Sequence, residues 1–70
     1  MFLHEAIEAV LRDTNRPMTA TNISDEIDLR KLYGRGDNEP IPANQIHARV
    51  SNHPELFERE DGLIRLARRA

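Results

Sequence analysis

The sequence predicts a mainly α-helical domain with a small β-hairpin, made of three helices and two to three short antiparallel strands. Two observations predict this class. Apolar residues recur at helical spacing in three separate segments, and Asp61-Gly62, a pair that favours a two-residue hairpin turn, lies between two short runs that can extend. Seventy residues suffice for one domain with one small core. We expect that domain over residues 1–67, with residues 68–70 as a tail or the start of a linker to a further domain.

The first helix is expected from Phe2 to about Asp13. Its apolar side chains fall on one face of the helical wheel: Leu3, Ile7, Val10 and Leu11, with Ala6 beside them. Asn15-Arg16-Pro17 ends this helix. Met18 then forms either a short third strand or a single bridge, and Thr19 suits the N-cap of the next helix.

The second helix is expected from Ala20 to about Arg30, with Ile23 and Ile27 buried. Leu32 falls on the opposite side of the wheel, so the helix should end before it. The segment from Gly34 to Pro40 holds two Gly and a Pro among polar residues. It is the longest break in the chain, and we expect it to be the most mobile part.

The third helix is expected from about Ala43 to Asn52, because Pro54 bars its continuation. Pro42 has the fixed φ that suits a first helical position. Ile46 and Val50 point inward, so the polar and small side chains of this helix point outward.

The register of the hairpin follows from its turn. Counting outward from Asp61-Gly62 gives four cross-strand pairs: Phe57 with Leu66, Glu58 with Arg65, Arg59 with Ile64, and Glu60 with Leu63. Side chains alternate along a strand, so one face of the hairpin is apolar and belongs to the core, with the stem of Arg59 beside it. The other face is polar, and there Glu58 meets Arg65.

This order of elements is that of a winged helix-turn-helix, in which the third helix faces a partner and the hairpin is the wing. Several stretches also follow one another as in a known family: Leu3 to Leu11, Arg16-Pro17-Met18-Thr19 leading into Ile23 to Ile27, Leu32-Tyr33 before a Gly-rich loop, Pro40 to Val50, Leu56-Phe57-Glu58-Arg59, and Gly62-Leu63-Ile64-Arg65-Leu66. Over almost its full length the chain resembles the HARE-type winged helix-turn-helix domain. That family includes domains of additional-sex-combs-like chromatin regulators, of the delta subunit of bacterial RNA polymerase, and of proteins fused to restriction endonucleases.

The resemblance implies a small adaptor domain that contacts DNA or places a partner enzyme or polymerase near it. The charge distribution limits how it would do so. The formal charge is −2, and residues 29–36 and 65–70 are the two stretches in which cations outnumber acids. Glu60-Asp61 makes the tip of the hairpin negative, where a phosphate contact would need Lys or Arg. This is not the generally basic surface of a strong nucleic-acid binder.

The outward face of the third helix is the main candidate site. Asn and Gln can bond both adenine edge positions in the major groove, Arg reads guanine, and Ser or His reaches phosphates or bases. The candidate reading set is Asn44, Gln45, His47, Arg49, Ser51 and Asn52. Candidate phosphate contacts lie before that helix and beside the wing: Arg30, Lys31, Arg35, Arg65, Arg68 and Arg69. The alternative for both sets is that they are ordinary solvated surface residues.

The sequence indicates no catalytic site, no cofactor and no metal site. It has no Cys and no phosphate-binding Gly loop, and its Ser residues lack a base in any recognisable pattern. His47 and His53 would lie over 100° apart on one helix, too far round to share a metal ion. No apolar run could span a bilayer. We expect a cytoplasmic protein, or a nuclear one in a eukaryote, with no membrane or small-molecule partner.

Two functions remain open from the sequence. The first is a non-catalytic module that binds double-stranded DNA weakly, in a salt-sensitive way, and targets an attached or associated enzyme of restriction or transcription type. The second is a protein-interaction module that docks on a basic partner such as a polymerase or nuclease subunit. A continuous basic surface beside the third helix would favour DNA; it would consist of Arg30, Lys31, Arg35 and Arg65. Acids between them would favour a protein partner.

Overall fold

The computed structural model describes residues 2–33 and 41–67. It contains three helices and two strands: α1 (Leu3–Thr14), α2 (Ala20–Arg30), α3 (Ala43–Asn52), β1 (Phe57–Glu60) and β2 (Leu63–Leu66). The strands form one antiparallel sheet in the order β1-β2. The described part is therefore a small, mainly helical α+β domain, as the sequence predicts. The segment Gly34 to Pro40, expected to be mobile, lies outside the described residues.

The ends of α1 and α2 follow local rules that the sequence predicted. The Thr19 hydroxyl accepts a hydrogen bond from the backbone N–H of Asn22, at 3.1 Å, and so caps the start of α2. Asn15 ends α1 and Lys31 ends α2, each in the left-handed region, with φ values of 55° and 54°. Because α2 ends at Lys31 and the chain changes direction there, Leu32 packs against the core.

Pro42, whose φ suits a first helical position, is the N-cap of α3 and lies one position before the first helical residue, Ala43. The ring holds φ at −62°, a value shared by helical and extended backbone, but ψ is 146°, which is extended. Proline fixes φ and leaves ψ free, so the sequence could not separate the two positions. The predicted bounds of α3 are confirmed.

The helices pack their apolar faces into one core. Fully buried side chains come from every helix and from β2, and include Ile7, Ile23, Ile27, Ile46 and Ile64, each 0% exposed. Ile46 and the nearly buried Val50 turn one side of α3 toward this core. The opposite side of α3 therefore faces solvent.

The hairpin has the predicted turn and the predicted register. Asp61 and Gly62 both have positive φ, 55° and 80°, as a primed turn requires. The four cross-strand pairs are those counted from the sequence. Met18 forms an isolated bridge to Ile64, with N–H···O distances of 2.9 and 2.7 Å, so the possible third strand is a single bridge.

Candidate nucleic-acid interface

The outer side of α3 presents polar side chains and no acid. Ile46 and Val50 point into the core, which leaves five of the six candidate reading residues exposed and one partly buried. The exposed ones are Asn44, Gln45, Arg49, Ser51 and Asn52; the partly buried one is His47. The sequence of α3, ANQIHARVSN, contains no Asp or Glu. The candidate reading set therefore lies on one solvent-facing helix surface, as predicted.

Helical spacing divides this surface into a ridge and two flanks. Asn44, Ala48 and Asn52 follow one another along the outer ridge. His47 and Ser51 lie on the flank next to the hairpin, where Arg59 contacts them. The opposite flank, with Gln45 and Arg49, lies next to the start of α1.

Arg59 reaches from β1 across to the hairpin flank of α3. Its Nη2 donates a hydrogen bond to the Ser51 hydroxyl at 2.9 Å, and its Nη1 lies 3.3 Å from Nδ1 of His47. Both partners are uncharged when Nδ1 of His47 acts as an acceptor. The guanidinium is therefore held on the surface of α3 without a carboxylate beside it in the described part of the chain.

Arg59 lies against α3 but is not among the candidate residues from the sequence. The register placed its stem beside the apolar face of the hairpin, and the structure confirms that position. One feature of the sequence could have indicated this contact. Helices pack on the apolar face of the hairpin, so a long side chain on that face of β1 runs either into the core or along a helix such as α3.

The flank next to α1 carries a column of stacked rings. The ring of His4 in α1 stacks on that of His53, the C-cap residue of α3, with centroids 4.1 Å apart. Phe2 also stacks on His4, with ring centroids 5.8 Å apart, and remains 70% exposed. The column holds the start of α1 against the end of α3. Within residues 2–33 and 41–67, no three His, Cys, Asp or Glu side chains converge on a possible metal ion.

Arg30 is paired with acids on two helices. Its guanidinium bonds to Asp13 at the end of α1 and to Glu26 one turn earlier in α2, at 3.0 Å from the latter. The hydrogen bond with Asp13, followed by that with Glu26, raises the pKa of Arg30 above its usual value. A phosphate at this position would compete with two carboxylates. Lys31 is exposed and has no carboxylate partner among the described residues, and Arg35 lies outside them.

Arg65 is paired with Glu58 across the polar face of the hairpin, as predicted. Its Nε and Nη2 both contact Oε1 of Glu58, at 3.0 and 2.9 Å. Arg68 and Arg69 lie outside the described residues. In the described part, acids therefore accompany both arginines, Arg30 and Arg65, that were expected to flank the third helix.

No protein-family model, curated protein or solved structure matches this chain.

Charge is distributed unevenly among the helices: α1 and α2 carry six acids, while α3 carries none. These acids are Glu5, Glu8, Asp13, Asp25, Glu26 and Asp28. No helix in the described ranges is long and apolar enough to cross a membrane.

Proposed function

We propose that this domain is a winged helix-turn-helix that binds double-stranded DNA through the exposed side of α3. In this proposal α2 and α3 are the helix pair, α3 is the recognition helix, and the hairpin is the wing. The order of elements and the outward position of α3 support this assignment. The resemblance to the HARE-type family points in the same direction.

The observation that carries the proposal is the composition of the surface around α3. Its ridge offers the amides of Asn44 and Asn52, which match the paired donor and acceptor of an adenine edge. Each flank adds one guanidinium, Arg49 on the α1 side and Arg59 on the hairpin side. Neither has a carboxylate partner among the described residues. A polyanion approaching α3 meets hydrogen-bonding groups and two available cations.

The binding is weak and salt-sensitive. Arg30 and Arg65 are already paired with carboxylates, so few cations near α3 remain to contact phosphates. Both the affinity for DNA and its salt dependence increase with the number of phosphates neutralised, so a few contacts give weak binding that added salt readily abolishes. Such a domain acts as a non-catalytic adaptor that brings an attached or associated protein, of restriction or transcription type, to DNA.

A second candidate is docking on a basic protein, and the ion pairs favour it. α1 and α2 carry six acids against two arginines, and Asp13, Glu26 and Glu58 pair with arginines that DNA would need. A basic segment of a polymerase or nuclease subunit would dock on α1 and α2. The two candidates thus use different faces of the domain.

An NMR titration of the isotope-labelled domain distinguishes them. A mixed-sequence DNA duplex is added at low salt and then at physiological salt. The DNA proposal expects shifts confined to α3, Arg59 and the basic positions near them, and these shifts fade as salt rises. Unchanged spectra at low salt would overturn it.

A parallel titration with a lysine-rich peptide tests the protein candidate. Shifts on α1 and α2 would support docking on a basic partner. A scrambled acidic peptide of equal length is the control, and no shifts are expected from it because the surface of α1 and α2 carries the same sign of charge.

A further inference from the structure

We infer that Arg59 contacts a DNA phosphate beside α3, and that Ser51 and His47 hold it in place for that contact. This inference rests on the proposed function and deepens it. It assigns a contact to a hairpin residue outside the reading set and gives two residues of that set a positioning role.

Arg59 has donors left after its contacts with α3. A guanidinium carries five N–H groups, of which one on Nη2 bonds to Ser51 and one on Nη1 faces His47. The residue is exposed, so a ligand can approach the side chain from solvent. A phosphate oxygen on the solvent side of α3 can accept from them in the bidentate geometry that arginine favours.

The charge of Arg59 is also available, which separates it from Arg65 on the same hairpin. The two side chains lie on opposite faces of the strands, because Arg59 pairs with Ile64 and Arg65 with Glu58. Arg65 is neutralised by Glu58, whereas Arg59 rests on a hydroxyl and an imidazole. On the side where α3 lies, the hairpin therefore presents a cation that pairs with no carboxylate of residues 2–33 or 41–67.

The contacts with α3 prepare Arg59 for binding. A free arginine loses rotamer freedom when it orders on a phosphate, and that loss weakens binding. Here Ser51 and His47 already order the guanidinium in the absence of DNA. Arg49, on the opposite flank, has no such side-chain partner among the described residues. Arg59 should therefore lose less rotamer freedom than Arg49 when it binds a phosphate.

These contacts change the roles expected of Ser51 and His47. The Ser51 oxygen and Nδ1 of His47 act as acceptors for Arg59. Each therefore orders the guanidinium through one acceptor atom, and the positioning of Arg59 is the contribution to DNA binding assigned to them here. Ser51 and His47 are positioning residues.

The test is Arg59→Gln in the full chain, with affinity for a mixed-sequence duplex measured by fluorescence anisotropy over a series of salt concentrations. Loss of one charge-assisted contact should lower the affinity at low salt about tenfold. The slope of log affinity against log salt should fall in magnitude by about 0.9, the value for one phosphate. Arg59→Lys should keep most of the slope, because the charge remains.

The control for charge is Arg12→Gln. Arg12 lies on α1 and pairs with Glu8 at 3.0 Å, so the variant removes the same charge away from α3. Its salt slope should equal that of the wild type. Thermal melts of both variants should be native-like, because each side chain is exposed.

Ser51→Ala tests the positioning role. Arg59 can still reach the phosphate in this variant but is less ordered, so the affinity should fall about threefold while the salt slope stays unchanged. Adding Ser51→Ala to Arg59→Gln should cost nothing further, since the two changes remove one interaction. Additive losses would overturn the positioning role.

The outcomes separate this inference from the proposed function. If the wild type binds the duplex and Arg59→Gln binds it with the wild-type slope, Arg59 makes no phosphate contact and the inference fails while DNA binding stands. If the wild type does not bind at low salt, the proposed function fails and this inference fails with it.

Discussion

The hydroxyl of Ser24 donates a hydrogen bond of 2.5 Å to the backbone carbonyl of Ile41 inside the core. Ser24 is 4% exposed and is the buried polar residue of α2. Ile41 immediately precedes the N-cap of α3. A buried carbonyl needs a partner, and here α2 supplies it through a side chain. This bond fixes how the chain enters α3 and therefore how the surface of α3 is presented.

Replacing Ser24 by Ala should destabilise the domain by about 1–3 kcal/mol, because the buried Ile41 carbonyl loses its donor. Chemical denaturation monitored by circular dichroism measures the change. Thr21→Ala, at an exposed position of the same helix, should stay within about 0.5 kcal/mol of the wild type. Equal stabilities for the two variants would contradict the role of this hydrogen bond.

Replacing Ile46 by Asp should unfold the domain. Ile46 is 0% exposed at the centre of the inward side of α3, and an unpaired carboxylate there cannot be solvated. A thermal melt provides the measurement. Ala48→Asp places the same charge on the exposed ridge, where the fold should survive but DNA binding should be lost. A native-like melt of the Ile46 variant would contradict the packing of α3.

Replacing Gly62 by Val should weaken the hairpin by about 1–3 kcal/mol, because Gly62 has a φ of 80° and a β-branched residue resists positive φ. A Cβ at this position meets no atom within 4 Å, so the cost is conformational and not steric crowding. Gly62→Asn is the matched variant, since Asn tolerates the left-handed region. Chemical shifts should change in β1 and β2 for Val and remain close to the wild type for Asn. Equal stability of the Val and Asn variants would show that the turn does not require positive φ.

Replacing Glu58 by Gln should strengthen DNA binding. The change releases Arg65, which now bonds only to Glu58 among the described residues, and leaves its guanidinium for a phosphate. The salt slope should increase in magnitude by about 0.9. Glu8→Gln makes the same change of charge beside Arg12 on α1 and should leave the slope unaltered. The same increase in both variants would indicate a general effect of net charge and no contact by Arg65.

The elements could be predicted from the sequence because each depends on neighbouring residues. Asp61-Gly62 determined the turn and, with it, all four pairs of the hairpin. The spacing of Ile46 and Val50 determined which side of α3 is buried. Local patterns of this kind need no knowledge of the tertiary arrangement.

The pairing of long side chains could not be predicted in the same way. Arg30 meets Asp13 and Arg59 meets Ser51 only because helices and hairpin pack at particular angles. A sequence indicates which face of a helix or strand carries an arginine side chain, but not which atom its guanidinium contacts. The sequence therefore located the surface of α3 but not the cation that lies on it.

The bridge between Met18 and Ile64 joins the first inter-helix connection to the hairpin near the other end of the chain. Its two hydrogen bonds exist only while α1, α2 and the hairpin are assembled together. The amide hydrogens of these two residues should exchange with solvent only through global unfolding, whereas those in the first turns of the helices exchange by fraying. Hydrogen exchange at this one bridge would therefore measure how cooperatively the whole domain opens.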